Sequence, residues 1–167
     1  MELLSKGKFL KIYLSVLKIL YTSSFRIKIK ETGELKDEAT KCRFITAANH
    51  NQILVTAMKL NHIYLIELDS EFTRILGPFS KPEDKDRPEN SFSIDQPSGI
   101  VVDRKSGYIF ISSRGNKRIE ILNKNFVYEK SYENDSKFDP VGLVLKDGIL
   151  HVANNGYRNI LTLRFKH

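Results

Sequence analysis

Cysteine is nearly absent: Cys42 is the only one in 167 residues, so no intramolecular disulfide can form and the stapled core of a small secreted domain is excluded. A reducing, cytoplasmic setting fits that usage. With no His near it in sequence to activate a thiolate, Cys42 reads as a small apolar strand residue. Tryptophan is missing altogether. Long apolar runs are missing too: the most apolar stretch, Lys8 to Thr22, is interrupted by Lys11 and Lys18 and falls short of the ~20 apolar residues a bilayer crossing needs. No small-residue cleavage site follows it, so a signal peptide fits poorly. His50, His62, His151 and His167 are scattered, and none stands in a His-x-x-Glu-His or Cys/His spacing. Neither a glycine-rich phosphate loop nor a Gly-x-Ser-x-Gly elbow is present. Neither a metal centre nor a cofactor is therefore expected.

The composition that is present is globular: 41% hydrophobic and 28% charged residues, with ten Phe and seven Tyr. Aromatic and β-branched side chains pack well on pleated surfaces, so strands are expected to dominate. The net charge of +7 is unevenly spread. Residues 1 to 43 hold ten Lys/Arg against five Asp/Glu, 44 to 90 five against seven, and 91 to 167 twelve against eight. Basic ends favour polyanionic partners such as RNA or an anionic membrane surface, without naming one.

Within residues 1–24, polar positions at Lys8, Lys11, Ser15, Lys18 and Thr22 form one stripe at helical spacing, and the remainder is apolar. This predicts a basic amphipathic helix that packs on a sheet, lies on a membrane surface, or acts as a targeting segment. From Phe25 to Lys30 the period changes to two, predicting an orphan strand. Four strands are expected over 42–76 as a meander. Residues 77–91, with Pro78, Pro82 and Pro88, read as an exposed loop.

The remainder repeats itself. Gly99-Ile-Val-Val-Asp103, a turn at Lys105-Ser-Gly107, Tyr108 to Ser113, and Arg114-Gly-Asn-Lys-Arg-Ile-Glu-Ile-Leu122 make one unit. Gly142 to Lys146, Asp147-Gly148, Ile149 to Ala153, and Asn154 to Leu163 make the next. Pro97 and Pro140 each stand two residues before the opening glycine; the openings are 43 residues apart, and Gly115 and Gly156 are 41 apart. Four short strands at such a period are the pattern of propeller blades, each of which must stack on a neighbour to hide its apolar faces. Gly115 and Gly156 fall in the turn between second and third strands, where a positive φ would call for glycine.

Pro97-x-Gly99-Ile-Val-Val-Asp103, Ile109-Phe-Ile111 and Gly115-Asn-Lys-Arg-Ile119 together resemble the NHL repeat of β-propellers. The copy from Pro140 to Leu163 is similar, with Tyr157 for Asn, Asn159 for Arg and Lys146 for Asp. Over 42–76 the likeness rests on spacing, since the turn there reads Met58-Lys-Leu-Asn-His62. The resemblance implies an all-β chain of about three four-stranded antiparallel blades: 42–76, 92–132, and 138–165, the last lacking its outer strand. Three blades cannot close a ring, so three expectations stand side by side: a shortened relative of a longer propeller, an open face covered by the helix over Lys8 to Thr22, or a head-to-tail homodimer making six blades.

Equivalent turns of successive blades emerge on one face. Arg114, Asn116, Lys117 and Arg118 should therefore neighbour Asn155, Tyr157 and Arg158, a mix of cations, amides and an aromatic suited to single-stranded RNA. The same residues also read as parts of the repeat's own packing. Three functions follow: a non-catalytic scaffold binding another protein through a propeller face, RNA binding through the basic turns, or, as the resemblance also implies, a lactonase-like or lyase-like enzyme. Asp103, a candidate acid for such chemistry, lacks a matching partner, because Lys146 stands at its position in the next copy.

Overall fold

The computed structural model describes residues 27–28, 35–36, 42–67, 73–76 and 93–165. The helix expected over 8–22 and the loop over 77–91 lie outside these residues. β1 (Ile27–Lys28) pairs antiparallel with β2 (Leu35–Lys36). The stretch expected as an orphan strand therefore takes a partner close in sequence, where loop closure costs little.

Three antiparallel meanders make up the rest. Blade 1 holds β3 (Cys42–Ala47), β4 (Gln52–Ala57), β5 (His62–Glu67) and β6 (Thr73–Leu76). Blade 2 holds β7 (Pro97–Val102), β8 (Ile109–Ser113), β9 (Arg118–Leu122) and β10 (Tyr128–Glu133). Blade 3 holds three strands, β11 (Pro140–Lys146), β12 (Ile149–Asn154) and β13 (Asn159–Arg164). The inner strand β7 packs against both β3 and β11, so the three sheets stack in chain order as propeller-type blades.

The repeat is written into the backbone. Each inner strand opens by pairing with the last residue of the second strand, Cys42 with Ala57, Pro97 with Ser113 and Pro140 with Asn154. Each then slips register before Ile45, Ile100 and Leu143. Proline, which lacks an N–H, is suited to such an opening, and the bulge beside it adds twist. The turns after the second strand end on a left-handed residue in all three blades: Asn61 (φ 55°), Lys117 (φ 55°) and Arg158 (φ 52°). Met58–Leu60 with Asn61 is therefore the counterpart of the two glycine-containing turns.

The glycines themselves do another job. Neither Gly115 nor Gly156 has positive φ; that falls to Gly107 and Gly148 in the turns between first and second strands. A Cβ on Gly115 would lie 1.9 Å from Asp95 Oδ2, and one on Gly156 only 1.7 Å from the Lys137 carbonyl oxygen. These two positions need glycine for close approach, not for conformational freedom.

Period-two alternation gives every blade two apolar faces. The face turned to the next blade we term forward. Leu54, Ile63 and Leu65 on the forward face of blade 1 pack on Ile100, Ile109, Ile111 and Leu122 of blade 2. Phe110, Ile119 and Ile121 of blade 2 pack on Leu143, Leu150 and Val152 of blade 3, joined by Phe138. Full burial of each such side chain contributes about 1.5–3 kcal/mol, so the stack is held mainly by these two aliphatic layers. The backward face of blade 1, with Val55, Ala57 and Tyr64 at 4%, 0% and 3% exposure, is also shielded within the chain.

Candidate functional site

The turns between second and third strands define one surface. The turns of blades 2 and 3 are each anchored to the segment that leads into their own blade: Arg114 N–H donates to Gln96 O (3.4 Å), Gly115 N–H to Asp95 O (3.1 Å) and Asn155 N–H to Asp139 O (2.9 Å). Turns also reach forward to the next blade. Asn61 Nδ2 donates to Asp95 Oδ1 at 3.1 Å and its Oδ1 accepts from Gln96 N–H at 2.8 Å.

One blade later the same reach is made by charge. Arg114 grips Asp139 with both arms, Nε to Oδ1 at 2.7 Å and Nη2 to Oδ2 at 2.8 Å. Asn155 Nδ2 adds a bond to Asp139 Oδ2 at 2.8 Å, and Lys117 Nζ donates to Ser136 O at 2.6 Å. The bonds from Arg114 hold the Asp139 carboxyl below the usual carboxylate range against partial burial, with Asn155 and Lys117 helping. In return Asp139 raises Arg114.

Arg114, Lys117 and Asn155 thus converge on residues 136–139. Tyr157 joins them at 46% exposure, with Lys137 Nζ 5.9 Å from its ring centroid. A hydrogen bond with Asp135 raises its phenol. The side chain of exposed Arg158 makes no hydrogen bond or ion pair among the described residues.

Two of the seven candidates turn elsewhere. Asn116 Nδ2 is spent on Ser93 O (3.0 Å), Ser93 Oγ (3.3 Å) and Ser113 Oγ (2.9 Å). Arg118 ion-pairs with Glu120, reaches Glu133 Oε1 at 3.4 Å and Ser93 Oγ at 3.2 Å. Burial opposes the charge of Arg118, but Glu120 and then Glu133 outweigh it and raise its pKa. Glu120 has 0% exposure, facing the blade 1–2 layer between Ile111 and Ser131.

Two acids that anchor the turns were missed from sequence: Asp95, which accepts from Asn61, and Asp139, which pairs with Arg114. They stand two residues before Pro97 and one before Pro140, respectively. That offset acid before Pro97 and Pro140 was the available signal.

At the other end of the inner strands a cleft of about 480 Å³ opens between Ala47, Asn49, His50 and Ile53 of blade 1 and Val102 and Arg104 of blade 2. Asp103 on its rim accepts from Lys105 N–H (3.0 Å) and Ser106 Oγ (2.7 Å). Among the described residues no three His, Cys, Asp or Glu side chains gather as metal ligands, and no helix is long and apolar enough to cross a membrane.

These stacked sheets belong to the β-propeller class. No protein-family model matches the chain, and no curated protein does. Among solved structures it is similar to the computationally designed Ika4 protein, with a TM-score of 0.54 and 8% identity over 81% of this chain and 75% of that one. It also matches a streptogramin B lyase structure (TM-score 0.49, 14% identity, 82% of this chain and 46% of that one). A catalytically inactive virginiamycin B lyase from Staphylococcus aureus, solved with quinupristin, gives 0.49, 15%, 82% and 47%. The chain spans under half the length of either lyase.

Proposed function

We infer that the chain is an NHL-like scaffold whose turn face binds another protein, with no chemistry of its own. The observation that carries this is the bidentate bridge from Arg114 to Asp139. A cation already matched by a carboxylate has little left for a phosphate, and Arg118 is likewise engaged by Glu120 and Glu133. The surface left over is mixed rather than strongly basic: Tyr157, Asn155, Lys117 and Arg158 around a rigid frame. An exposed tyrosine beside an arginine within a polar rim is the make-up of a protein-binding hot spot. The supporting experiment is capture with the full chain as bait, comparing Tyr157→Ala and Arg158→Ala with the parent after nuclease treatment. Loss of a nuclease-resistant partner in the variants fits; capture that disappears with nuclease sinks the reading.

One feature supports RNA as the second reading. Tyr157 offers an open ring face flanked by Lys137 and followed by Arg158, a stacking platform with cations beside it. That reading expects affinity for single-stranded RNA to fall steeply with salt and to vanish when Lys117 and Arg158 become Ser along with Arg114. A salt-insensitive or absent gel shift removes it.

A further inference from the structure

The cleft between blades 1 and 2 exists because blade 1 carries smaller or diverted side chains where blade 2 carries larger ones. Ala48 N–H donates to Gln52 O and Asp103 N–H to Tyr108 O, each at 2.8 Å, so Gln52 is the counterpart of Tyr108 and Ala48 that of Asp103. Tyr108 packs its ring against the apolar layer between blades 2 and 3. Gln52 does nothing similar toward blade 2: its Oε1 accepts from Asn49 Nδ2 at 2.7 Å and its Nε2 donates to Glu67 Oε1 at 3.3 Å. Next to Ala48, register sets Ala47 where blade 2 has Val102. An aromatic ring and a branched side chain are thus missing from one junction of a repeated stack. The space of about 480 Å³ that remains has the size of a small-molecule site.

The lining is divided in its chemistry. Ala47, Ala48, Ile53 and Val102 are apolar walls, while His50 and Arg104 are exposed polar groups. Unlike Arg114 and Arg118, which carboxylates hold, the Arg104 side chain makes no hydrogen bond or ion pair among the described residues. Asp103, at 9% exposure, turns Oδ1 to Lys105 N–H and Oδ2 to Ser106 Oγ within its own turn. A guanidinium beside apolar walls matches a carboxylate on an apolar body, with a forked pairing at the head and burial of the remainder. The charge of Asp103 close by favours a monoanion over a phosphate dianion, and Arg104 repels an ammonium head. The cleft lies at the end of the blades opposite the turn face, so it is independent of the protein-binding surface inferred above.

We propose that this cleft binds a small monocarboxylate with an apolar body, its carboxylate held by Arg104 and His50. Hexanoate is the probe, with hexylamine, hexan-1-ol and hexyl phosphate as controls of equal chain length. Titrated into the isotope-labelled full chain and followed by NMR, hexanoate should give saturable shifts at Ala47, Ala48, His50 and Arg104. A Kd on the order of 1 mM is expected, several-fold tighter than for any control. Arg104→Ala should weaken binding about tenfold, the loss of a hydrogen-bonded charge. Gln52→Tyr, which copies the filling by Tyr108, and Ala48→Leu, a second filler, should each abolish it. Tyr157→Ala, on the opposite face, should leave it unchanged. Amide spectra that overlay on the parent's away from the cleft separate loss of the site from loss of the fold. The proposal is overturned by the absence of saturable shifts with hexanoate, or by a control that binds as tightly. Binding that survives Arg104→Ala and both fillers overturns it too.

Discussion

Gly99→Ala and Gly142→Ala place the same methyl group at equivalent points of successive blades, and the structure assigns them opposite outcomes. At position 99 the new Cβ would meet two backbone atoms of β11, at 2.6 and 2.8 Å. Neither atom can rotate away as a side chain would, so β7 and β11 must separate by several tenths of an ångström. That loosens the layer of Phe110, Ile119, Leu143, Leu150 and Val152. Overpacking of this kind costs about 1–3 kcal/mol. At position 142 the nearest atoms are at ordinary contact distance and φ is not positive, so alanine fits. There it should be neutral or stabilise by about 0.4–1 kcal/mol through the unfolded chain. Urea titration followed by circular dichroism, read as a shift of midpoint at constant slope, measures both. The two variants should differ by about 1–4 kcal/mol. Equal effects, or a costlier Gly142→Ala, would refute the stacking of β11 on β7 from which the reasoning starts.

The Arg114–Asp139 bridge ties blade 2 to blade 3, so Asp139→Asn should cost about 1–2 kcal/mol given its partial exposure. Because the folded Asp139 carboxyl lies below the unfolded value of about 3.9, its contribution is complete above that value. It is lost as pH falls through the folded pKa, and acid titration of Asp139→Asn should lack that part of the decline. Arg118→Ala leaves the Glu120 carboxylate in the core without its guanidinium and should destabilise by about 3–5 kcal/mol, while Arg118→Ala with Glu120→Leu recovers most of it; denaturant midpoints for the single and double variants decide this. Arg158→Gly relieves a left-handed residue at φ 52° and should hold or raise the melting temperature, the reverse of what glycine does at an ordinary strand end.

Much of the fold was legible because it rests on local chemistry. Short apolar runs rich in β-branched and aromatic residues, bounded by turn residues, mark strands over Ile109 to Ser113 and Ile149 to Asn154 wherever they end up. The paired Pro-x-Gly openings at 97 and 140 mark where each blade starts. Spacing alone matched Met58–Asn61 to the glycine turns, and the shared left-handed residue shows the match is one of geometry. The role of the glycines was read wrongly, since a turn glycine suggests positive φ, and only the approach of Asp95 and Lys137 reveals the steric reason.

The candidate surface was legible only in outline. Seven polar side chains on two turns could be named from the repeat, yet whether a cation is free or spent depends on groups distant in sequence. Asp139 lies 25 residues from Arg114, and Glu133 lies 15 from Arg118. Residue type and period determine strands, turns and apolar faces, because those follow from the backbone and its near neighbours. Stacking decides which charges cancel and which equivalent isoleucine meets water, Ile160 and not Ile63 or Ile119, because both depend on what the next sheet brings, and blade 3 has no such sheet among the described residues.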